Sequence, residues 1–256
     1  MEFTVAGMVH LPPLPGAPEY GGDRAAIRER ARADARALEA GGADAVVVEN
    51  FGDAPFYPES VPKHVVADMT ALVGAVTDAV DVPVGVNVLR NDAEAALSVA
   101  AAAGAAFVRV NVHVGARVTD QGIVEGRAHE TLRLRERLDA DVSILADVAV
   151  KHSAPLADRP VEDQARETLE RGRADALVVS GPGTGEATDR SVLDRAAPVC
   201  ATADAPLYVG SGVTADTVAD YLAVADGVIV GTALKRGDDP ANPVDEGRVR
   251  ELVAAT

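Results

Sequence analysis

Short apolar runs recur along the chain, and longer stretches with a helical spacing of apolar residues separate them. The short runs predict strands at 3–9, 44–49, 83–87, 107–111, 142–147, 174–180, 206–210 and 227–231. The longer stretches predict helices at 24–40, 63–79, 92–103, 127–138, 160–171, 214–223 and 244–254, with 188–197 as the weakest. Val- and Ile-rich strands that alternate with helices indicate a parallel α/β fold.

The number of strand–helix units, roughly eight, predicts one closed (β/α)8 TIM barrel that takes up residues 1–256 as a single domain. The main alternative is a doubly wound Rossmann sheet, because the run from Gly210 to Ala215 matches the dinucleotide-binding pattern G-x-G-x-x-A. That pattern belongs to the first strand–helix turn and expects an acidic residue at the end of the next strand. Here the next strand ends at Gly231 and Thr232, so we favour the barrel.

Composition and charge limit which residues can form the core and which partners the protein can bind. Apolar residues make up 48% of the chain but aromatic residues only 3%, so Ala, Val and Leu must form most of the core. The net charge of −16 arises from 40 acidic and 24 basic residues, and only three of the basic ones are lysines, Lys63, Lys151 and Lys235. Such acidity argues against nucleic acid as a partner. It also indicates a halophilic protein, the alternative being an ordinary acidic protein from a high-GC bacterium.

Cysteine usage and hydropathy indicate a cytoplasmic protein. Cys200 is the sole cysteine and lies in an apolar context, so we expect a core residue and neither a disulfide nor a thiolate metal cluster. No apolar run reaches the length of a membrane span, and the amino-terminal segment lacks the charged region of a signal peptide. Barrels often pair, so a homo-oligomer stays open, although no dimer signature is evident.

Two neighbouring strands near the carboxyl terminus each end in glycine and precede a helix-compatible segment. Glycine lets the backbone approach an anion closely, and the first N–H groups of a helix lack intrahelical partners. In a TIM barrel the loops after strands 7 and 8 commonly bind phosphate. The sequence therefore predicts a binding site for a phosphorylated small molecule. Its expected members are Gly210, Ser211, Gly212, Gly231 and Thr232, with Ser180 and Gly181 beside them.

Polar residues stand at the carboxyl ends of other predicted strands, where the active site of a barrel forms. Glu49 and Asp147 are candidate acid–base or metal-binding carboxylates. Asn87 and Asn111 are candidates for orienting hydroxyls or an oxyanion. His10 precedes a proline-rich loop that would fix its imidazole over the barrel mouth. Each also has an ordinary explanation, as a solvated acid, a turn former or a histidine bonded to the backbone.

Lysines and loop residues extend this candidate set. Lys151 can be a Schiff-base nucleophile or a phosphate partner, and we favour the second because a loop position is expected to leave it exposed. Lys235 is either another anion partner or a solvated residue. The segment 180–185 is either a lid or an inert turn, and 118–122 offers further polar groups. A divalent cation is an open alternative, although no recognised metal pattern joins its candidate ligands, His10, Glu49, Asp147 and His152.

A resemblance to the BtpA/SgcQ family runs through nearly the whole chain. It rests on 9–16 (VHLPPLPG), 48–56 (VENFGDAPF), 86–92 (VNVLRND), 109–111 (RVN), 119–122 (TDQG), 146–152 (ADVAVKH) and 210–214 (GSGVT). The block from Glu49 to Asp53 is highly specific. The resemblance implies a TIM barrel of the ribulose-phosphate-binding type. It also implies photosystem I biogenesis for cyanobacterial members and a link to sugar metabolism for SgcQ-like members.

The residues and the resemblance lead to two hypotheses. The first is an enzyme that acts on a phosphorylated small molecule, a sugar phosphate or a nucleotide-derived compound, by aldol cleavage, isomerisation or group transfer. The second is a non-catalytic assembly or stability factor of the photosystem I type. A salt-adapted origin argues against the photosystem role. The polar strand ends favour the enzyme, because a scaffold does not need them at the barrel mouth.

Overall fold

A computed structural model describes residues 2–157, 159–181 and 183–256 and contains a closed parallel barrel. In chain order the strands are β1 (Val5–His10), β2 (Ala45–Glu49), β3 (Val84–Asn87), β4 (Phe107–Val110), β5 (Ala116–Thr119), β6 (Gly122–Glu125), β7 (Ser143–Ala149), β8 (Ser153–Pro155), β9 (Ala176–Ser180), β10 (Leu207–Gly210) and β11 (Gly227–Val230). The barrel order is β1-β2-β3-β4-β7-β9-β10-β11, and β11 pairs with β1. This closure confirms the predicted TIM barrel and excludes the open Rossmann sheet.

Helices cover the outside of the barrel. They are α1 (Arg24–Ala40), α2 (Lys63–Thr77), α3 (Ala93–Ala103), α4 (Ala128–Arg137), α5 (Val161–Glu170), α6 (Arg190–Ala203), α7 (Val218–Leu222) and α8 (Glu246–Ala254). The weakly predicted helix at 188–197 is the longer α6, which continues past an internal Pro198 because Leu193, Ala196 and Cys200 form a buried stripe. The helix predicted at 214–223 is reduced to α7.

Aromatic side chains fill the interior of the barrel below its carboxyl end. Phe3 stacks on Tyr208 with ring centroids 4.2 Å apart and on Phe107 at 5.7 Å. Small residues of the inward strand faces, such as Ala6 and Ala45, pack around them. The barrel is therefore a packed core rather than a pore, and only the carboxyl ends of the strands offer room for a ligand.

A three-stranded antiparallel sheet beside the barrel mouth was missed by the sequence analysis. Its order is β6-β5-β8, so the segment 118–122, expected to offer further polar groups, lies in the β5–β6 hairpin. Gly122 adopts a φ of 108° at the hairpin turn, a conformation that favours glycine. Because β5 precedes β7 and β8 follows it, this sheet joins the segments before and after β7. Among the described residues, no helix has the length and apolar character needed to cross a membrane.

Candidate active site

The carboxyl ends of the barrel strands bring most of the predicted polar residues together. His10, Glu49 and Asn87 end β1, β2 and β3 and are successive partners in the register of the sheet. Asn111 directly follows β4, and Asp147 lies near the end of β7. All five side chains are buried, so each needs a partner in the protein or in a ligand.

An arginine that the sequence analysis did not single out organises the centre of this set. Arg109 donates from Nε to Asp147 Oδ1 at 2.8 Å and from Nη2 to Asp147 Oδ2 at 2.9 Å. Its Nη2 also donates to Ser180 Oγ at 2.8 Å, and Asn111 Nδ2 donates to Asp147 Oδ2 at 3.2 Å. Bidentate pairs of this kind are strong. The acid–base or metal-binding role of Asp147 stays a prediction, and the structure adds that its carboxylate is paired with Arg109.

The side chains of Asn87 and Asn111 form hydrogen bonds with each other and with neighbouring protein groups. Asn87 Nδ2 donates to Arg109 O at 2.7 Å and to Asn111 Oδ1 at 3.3 Å. Asn87 Oδ1 is buried and has no hydrogen-bond partner among the described residues. The role of both asparagines in orienting a hydroxyl or an oxyanion stays a prediction, and of the two only Asn87 has a buried amide oxygen without a partner in the described chain.

Glu49 is a buried carboxyl group without a hydrogen-bond partner. Its residue exposure is 0%, and neither Oε1 nor Oε2 accepts a hydrogen bond within the described part of the chain. His10 Nε2 lies 3.9 Å from Oε1, which is too long for a hydrogen bond. Burying a polar group without a partner costs stability, so a contact with a bound ligand would offset that cost.

His10 presents an unprotonated ring nitrogen towards Glu49. Its Nδ1 lies 3.0 Å from Pro240 O, and its ring stacks on Phe51 with centroids 4.4 Å apart. Burial, assisted by the charge of Lys235, lowers the pKa of His10 to about 3. The ring is therefore neutral at pH 7, with the Nδ1 proton donated to Pro240 and with Nε2 as an acceptor. The contact between His10 and Glu49 is thus not an ion pair.

Lys151 is buried, which corrects the expectation of an exposed loop residue. It is 6% exposed and lies in the turn between β7 and β8. Since β8 pairs with β5 and Arg90 Nη2 donates to the Lys151 carbonyl, this turn is held against the barrel mouth. Burial lowers the pKa of the Lys151 amine, and the carboxylate of Glu49 opposes that shift.

Two glycine loops, 211–214 after β10 and 231–233 after β11, line a cavity of about 200 Å³ at the barrel mouth. His10, Arg109 and Lys151 line the same cavity. The expected phosphate-binding loops and part of the expected catalytic set therefore share one space. Glu49 and Asn87 are not among the described residues that line this cavity, but both are buried: Glu49 is the register partner of His10, and Asn87 is the register partner of Glu49.

Backbone amides of both glycine loops are available to an anion. The N–H groups of Gly212, Val213, Thr232 and Ala233 donate to no acceptor in the ranges 2–157, 159–181 and 183–256. In contrast, the N–H of Thr214 donates to the hydroxyl of Thr217 at 3.0 Å. Unpaired amides from two adjacent loops suit a phosphate group, which accepts several hydrogen bonds.

Two of the glycines make room for side chains rather than for an anion. A Cβ at position 210 would lie 3.0 Å from Ser180 Oγ and 3.1 Å from Arg109 Nη2. A Cβ at position 231 would lie 2.9 Å from His10 Cε1. Gly210 and Gly231 therefore allow Arg109 and His10 to occupy the barrel mouth, a reason that the glycine pattern alone did not reveal.

Ser180 and Gly181 contribute to the site differently from the expected anion contact. The Ser180 hydroxyl accepts a hydrogen bond from Arg109, and the Gly181 N–H donates to Gly210 O at 3.3 Å. A Cβ at position 181 would lie 2.1 Å from Glu186 O, so Gly181 packs beneath the following loop. Both residues therefore support the walls of the site.

The loop after β9, expected to be a lid, contributes Thr184 and Gly185 to the cavity wall. The N–H of Thr184 donates to His152 Nε2 at 3.2 Å, which links this loop to the turn that carries Lys151. Pro182, within the expected lid, lies outside the described residues. The role of the segment 180–185 as a lid stays a prediction.

The structure does not assemble the four candidate metal ligands into one site. Among the described residues, no group of three or more His, Cys, Asp or Glu side chains could hold a metal ion. Asp147 is paired with Arg109, and His152 is bonded to Thr184. Asp147 also faces a separate cavity of about 150 Å³ between the barrel and β5. A divalent cation therefore has little support from this geometry.

A larger hollow of about 860 Å³ lies at the opposite, amino-terminal end of the barrel strands. Its described lining contains five acidic residues and no lysine or arginine; the acids are Glu2, Asp44, Asp194, Asp204 and Asp226. Their negative charges repel an anion. Despite its size, this hollow is unsuited to a phosphorylated ligand, and the smaller cavity at the barrel mouth is the better candidate.

Lys235 is fully buried, which corrects both expectations for it, an anion partner and a solvated residue. Its Nζ lies 3.7 Å from Asp34 Oδ2 and has no hydrogen-bond partner in the part of the chain that the structure describes. Asp34 also accepts hydrogen bonds from Arg30 at 2.9 Å and from the Val244 N–H at 2.8 Å. Burial lowers the pKa of Lys235 to about 8.

We expect Lys235→Met to leave the protein at least as stable as the wild type at pH 7, because Asp34 keeps Arg30 and Val244 as partners. The pKa of Lys235 is about 8 in the folded state and about 10.4 in the unfolded state. At a pH between these two values, the unfolded wild-type protein binds more protons than the folded protein. The free energy of unfolding should therefore rise with pH in this window, by about 1–3 kcal/mol from this lysine. Urea unfolding at pH 7 and pH 9.5 measures the rise, which Lys235→Met should lose. The exposed Lys63→Met is the control, and a rise that survives in Lys235→Met would contradict this assignment.

Comparison with protein families gives a match to the family described as the BtpA family over residues 1–256. A Synechocystis protein named photosystem I biogenesis protein BtpA is 45% identical over 251 residues, covering 98% of this chain and 87% of that protein. An uncharacterized protein of Thermococcus kodakarensis is 48% identical, with coverage of 99% and 96%. The sgc region protein SgcQ of Escherichia coli is 31% identical, with coverage of 98% and 93%.

Solved structures that resemble this barrel include enzymes named for phosphorylated compounds. Phosphoribosyl anthranilate isomerase from Thermus thermophilus has a TM-score of 0.59 and 15% identity, covering 98% of this chain and 97% of that chain. Thiamine phosphate pyrophosphorylase from Pyrococcus furiosus has a TM-score of 0.60 and 16% identity, with coverage of 99% and 95%. Identities this low show a shared fold and do not transfer an activity.

Proposed function

Because this chain belongs to the BtpA family and has the barrel fold of several phosphate-substrate enzymes, we propose that it is an enzyme acting on a phosphorylated small molecule. One observation carries the proposal: the two glycine loops, whose Gly212, Val213, Thr232 and Ala233 amides are unpaired in the described chain, line the same cavity as His10 and Lys151. The first group suits a phosphate, and the second lies where the rest of a bound molecule would extend.

The phosphate would lie between the two glycine loops. The N–H groups of Gly212, Val213, Thr232 and Ala233 supply donors. Arg109 lines the cavity, but its guanidinium is already paired with Asp147, so the amides are the main donors in a protein whose net charge is −16. Local donors are needed to hold a dianion, because the overall field of such an acidic protein repels it.

The reacting part of the substrate would meet a neutral His10 and an unpaired Glu49. Glu49 can accept a proton during the reaction, and His10 Nε2 can accept a hydrogen bond from a substrate hydroxyl. Asn87, the register partner of Glu49, offers a further acceptor at Oδ1. This set suits the movement of a proton next to a carbonyl or hydroxyl group, as isomerisation and aldol chemistry require.

The size of the cavity favours a small substrate. A volume of about 200 Å³ is below the range of about 300–1,000 Å³ that drug-sized ligands occupy. A sugar phosphate is therefore a better candidate than a dinucleotide. This agrees with the absence of a Rossmann sheet from the part of the chain that the structure describes.

A thermal-shift assay tests phosphate binding directly. Ribose 5-phosphate, ribulose 5-phosphate, dihydroxyacetone phosphate and inorganic phosphate should each be added to the protein at constant ionic strength. A ligand at 100 times its Kd stabilises by about 2.7 kcal/mol, which corresponds to a rise in Tm of about 5–10 °C for a chain of this size. We expect this rise for at least one sugar phosphate.

A matched pair of variants places the binding site. Thr232→Glu introduces a negative charge into the second glycine loop and should abolish the rise in Tm. Thr202→Glu makes the same change on the exposed surface of α6 and should leave the rise unchanged. A shift that persists in Thr232→Glu, or no shift with any compound in the wild type, would contradict the proposal.

The name of the Synechocystis relative supports a second candidate, a non-catalytic factor in photosystem I assembly. A factor of this kind does not require a buried carboxylate and amine at the barrel mouth. The assembly factor would be favoured if Glu49→Gln is as stable as the wild type and no sugar phosphate raises the Tm of the wild-type protein. A response that depends on the glycine loops would favour the enzyme.

A further inference from the structure

Building on the proposed function, we propose that Lys151 forms an imine with the substrate, so that the substrate is a phosphorylated aldehyde or ketone. The geometry that points to this is a buried amine without an ion pair in a small cavity that the two glycine loops also line. The inference deepens the proposed function, because it names the reacting group and the substrate class.

The Lys151 amine is available for chemistry. Its Nζ makes no hydrogen bond within the described residues and has no carboxylate there within 4.0 Å, whereas the amine of Lys235 lies 3.7 Å from Asp34. Lys63, at the start of α2, is exposed. Of the three lysines in the chain, Lys151 alone lines the cavity at the barrel mouth.

The surroundings of Lys151 favour the neutral, nucleophilic amine. Burial is the main cause that lowers its pKa, and the positive charges of Arg109 and Arg90 act in the same direction. Glu49 is the largest opposing cause, and the paired charges of Arg109 and Asp147 act in opposite directions and offset each other. Desolvation and neighbouring cations are the usual means by which proteins activate a lysine for imine formation.

The proposed step balances without a further reagent. Glu49 first takes one proton from the Lys151 ammonium group, which leaves a lone pair on Nζ. That lone pair attacks the carbonyl carbon, the C=O π bond opens, and the oxygen takes the proton back from Glu49 to give a carbinolamine. The nitrogen passes one proton to Glu49, and that proton then moves to the hydroxyl group. Water leaves as the C–O bond breaks, and the nitrogen lone pair forms the C=N bond of a protonated imine.

The protonated imine would make the neighbouring carbon easier to deprotonate, because the positive nitrogen accepts electron density from it. Glu49, whose carboxylate has no hydrogen-bond partner in the described chain, would act as the base in this step. A phosphate bound by the glycine loops would fix the distance between the substrate's phosphate and its carbonyl carbon. The site thus favours short phosphorylated carbonyl compounds over phosphate esters that lack a carbonyl group.

Borohydride trapping tests the proposal. Wild-type protein is incubated with ribose 5-phosphate, ribulose 5-phosphate or dihydroxyacetone phosphate, and sodium borohydride reduces any imine to a stable amine. We expect the protein to gain the mass of one probe less one oxygen atom, with the adduct on Lys151 in peptide mapping. Lys63→Arg should label as the wild type does, and Lys151→Arg should label at least about tenfold less.

Peptide mapping in the wild-type protein keeps the test independent of whether Lys151→Arg folds. Adducts confined to Lys63, Lys235 or the amino terminus would overturn the imine, as would the absence of an adduct with all three probes. If the same probes still raise the Tm through the glycine loops, the phosphate-binding function stands and only the imine fails. If neither Tm nor mass changes, both proposals fail.

Discussion

Glu49→Gln is expected to lower kcat about 10²- to 10⁴-fold, the usual contribution of a positioned acid–base group. Glutamine keeps the shape of the side chain but cannot accept the proton. Since neither carboxylate oxygen of Glu49 has a partner in the described chain, the change breaks no observed hydrogen bond, and stability should be kept. The kcat and KM are measured on the sugar phosphate that gives the largest rise in Tm.

The exposed Glu59, which pairs with Arg127 on the surface, provides the matched control. Glu59→Gln should leave kcat unchanged, and both variants should still be stabilised by the sugar phosphate. The expected result for Glu49 is a loss in kcat with little change in KM, because the phosphate is held elsewhere. Turnover at the wild-type rate in Glu49→Gln would remove this residue from the mechanism.

Asp147→Ala is expected to destabilise the protein by about 3–5 kcal/mol, because it leaves the buried Arg109 guanidinium without its counter-charge. Arg109 is 3% exposed and uses both Nε and Nη2 on this carboxylate. Urea unfolding at fixed salt concentration measures the change. Glu59→Ala, which breaks the exposed pair with Arg127, should cost less than about 1 kcal/mol.

A double replacement separates the loss of an ion pair from general damage to the barrel. Arg109→Met with Asp147→Leu removes both charges together, and it should recover a large part of the stability that Asp147→Ala loses. If Asp147→Ala lowers the free energy of unfolding no more than the surface control does, the pair of Arg109 and Asp147 does not stabilise the barrel mouth. The Asp147 carboxylate would then be the stronger candidate for a catalytic group.

The barrel was predictable from sequence because its strands are continuous apolar runs at regular intervals. The burial of Lys151 could not be predicted from sequence, because it depends on the pairing of β8 with β5, which are distant in the chain. Alternation in β4 did carry a signal for Arg109, since residues two apart share a face and Phe107, Arg109 and Asn111 are all buried.

The glycines that end β10 and β11 have a packing role that their sequence pattern did not reveal. Their pattern predicted an anion site, and amides are indeed unpaired in both loops within the described ranges. The room that Gly210 and Gly231 make for Arg109 and His10 depends on side chains from strands that lie far away in sequence. Adaptation to high salt and a cytoplasmic location, which rest on composition and hydropathy, stay predictions.

The order of the strands around the barrel divides the reacting groups between the two halves of the chain. His10 and Glu49 come from β1 and β2, whereas Lys151 and both glycine loops follow β7, β10 and β11. Recombination between relatives at the β4–β7 boundary would thus exchange the residues proposed to transfer protons and retain both Lys151 and the loops proposed to bind phosphate. Exchange of half-barrels would then change the proposed reaction and keep the proposed phosphate site.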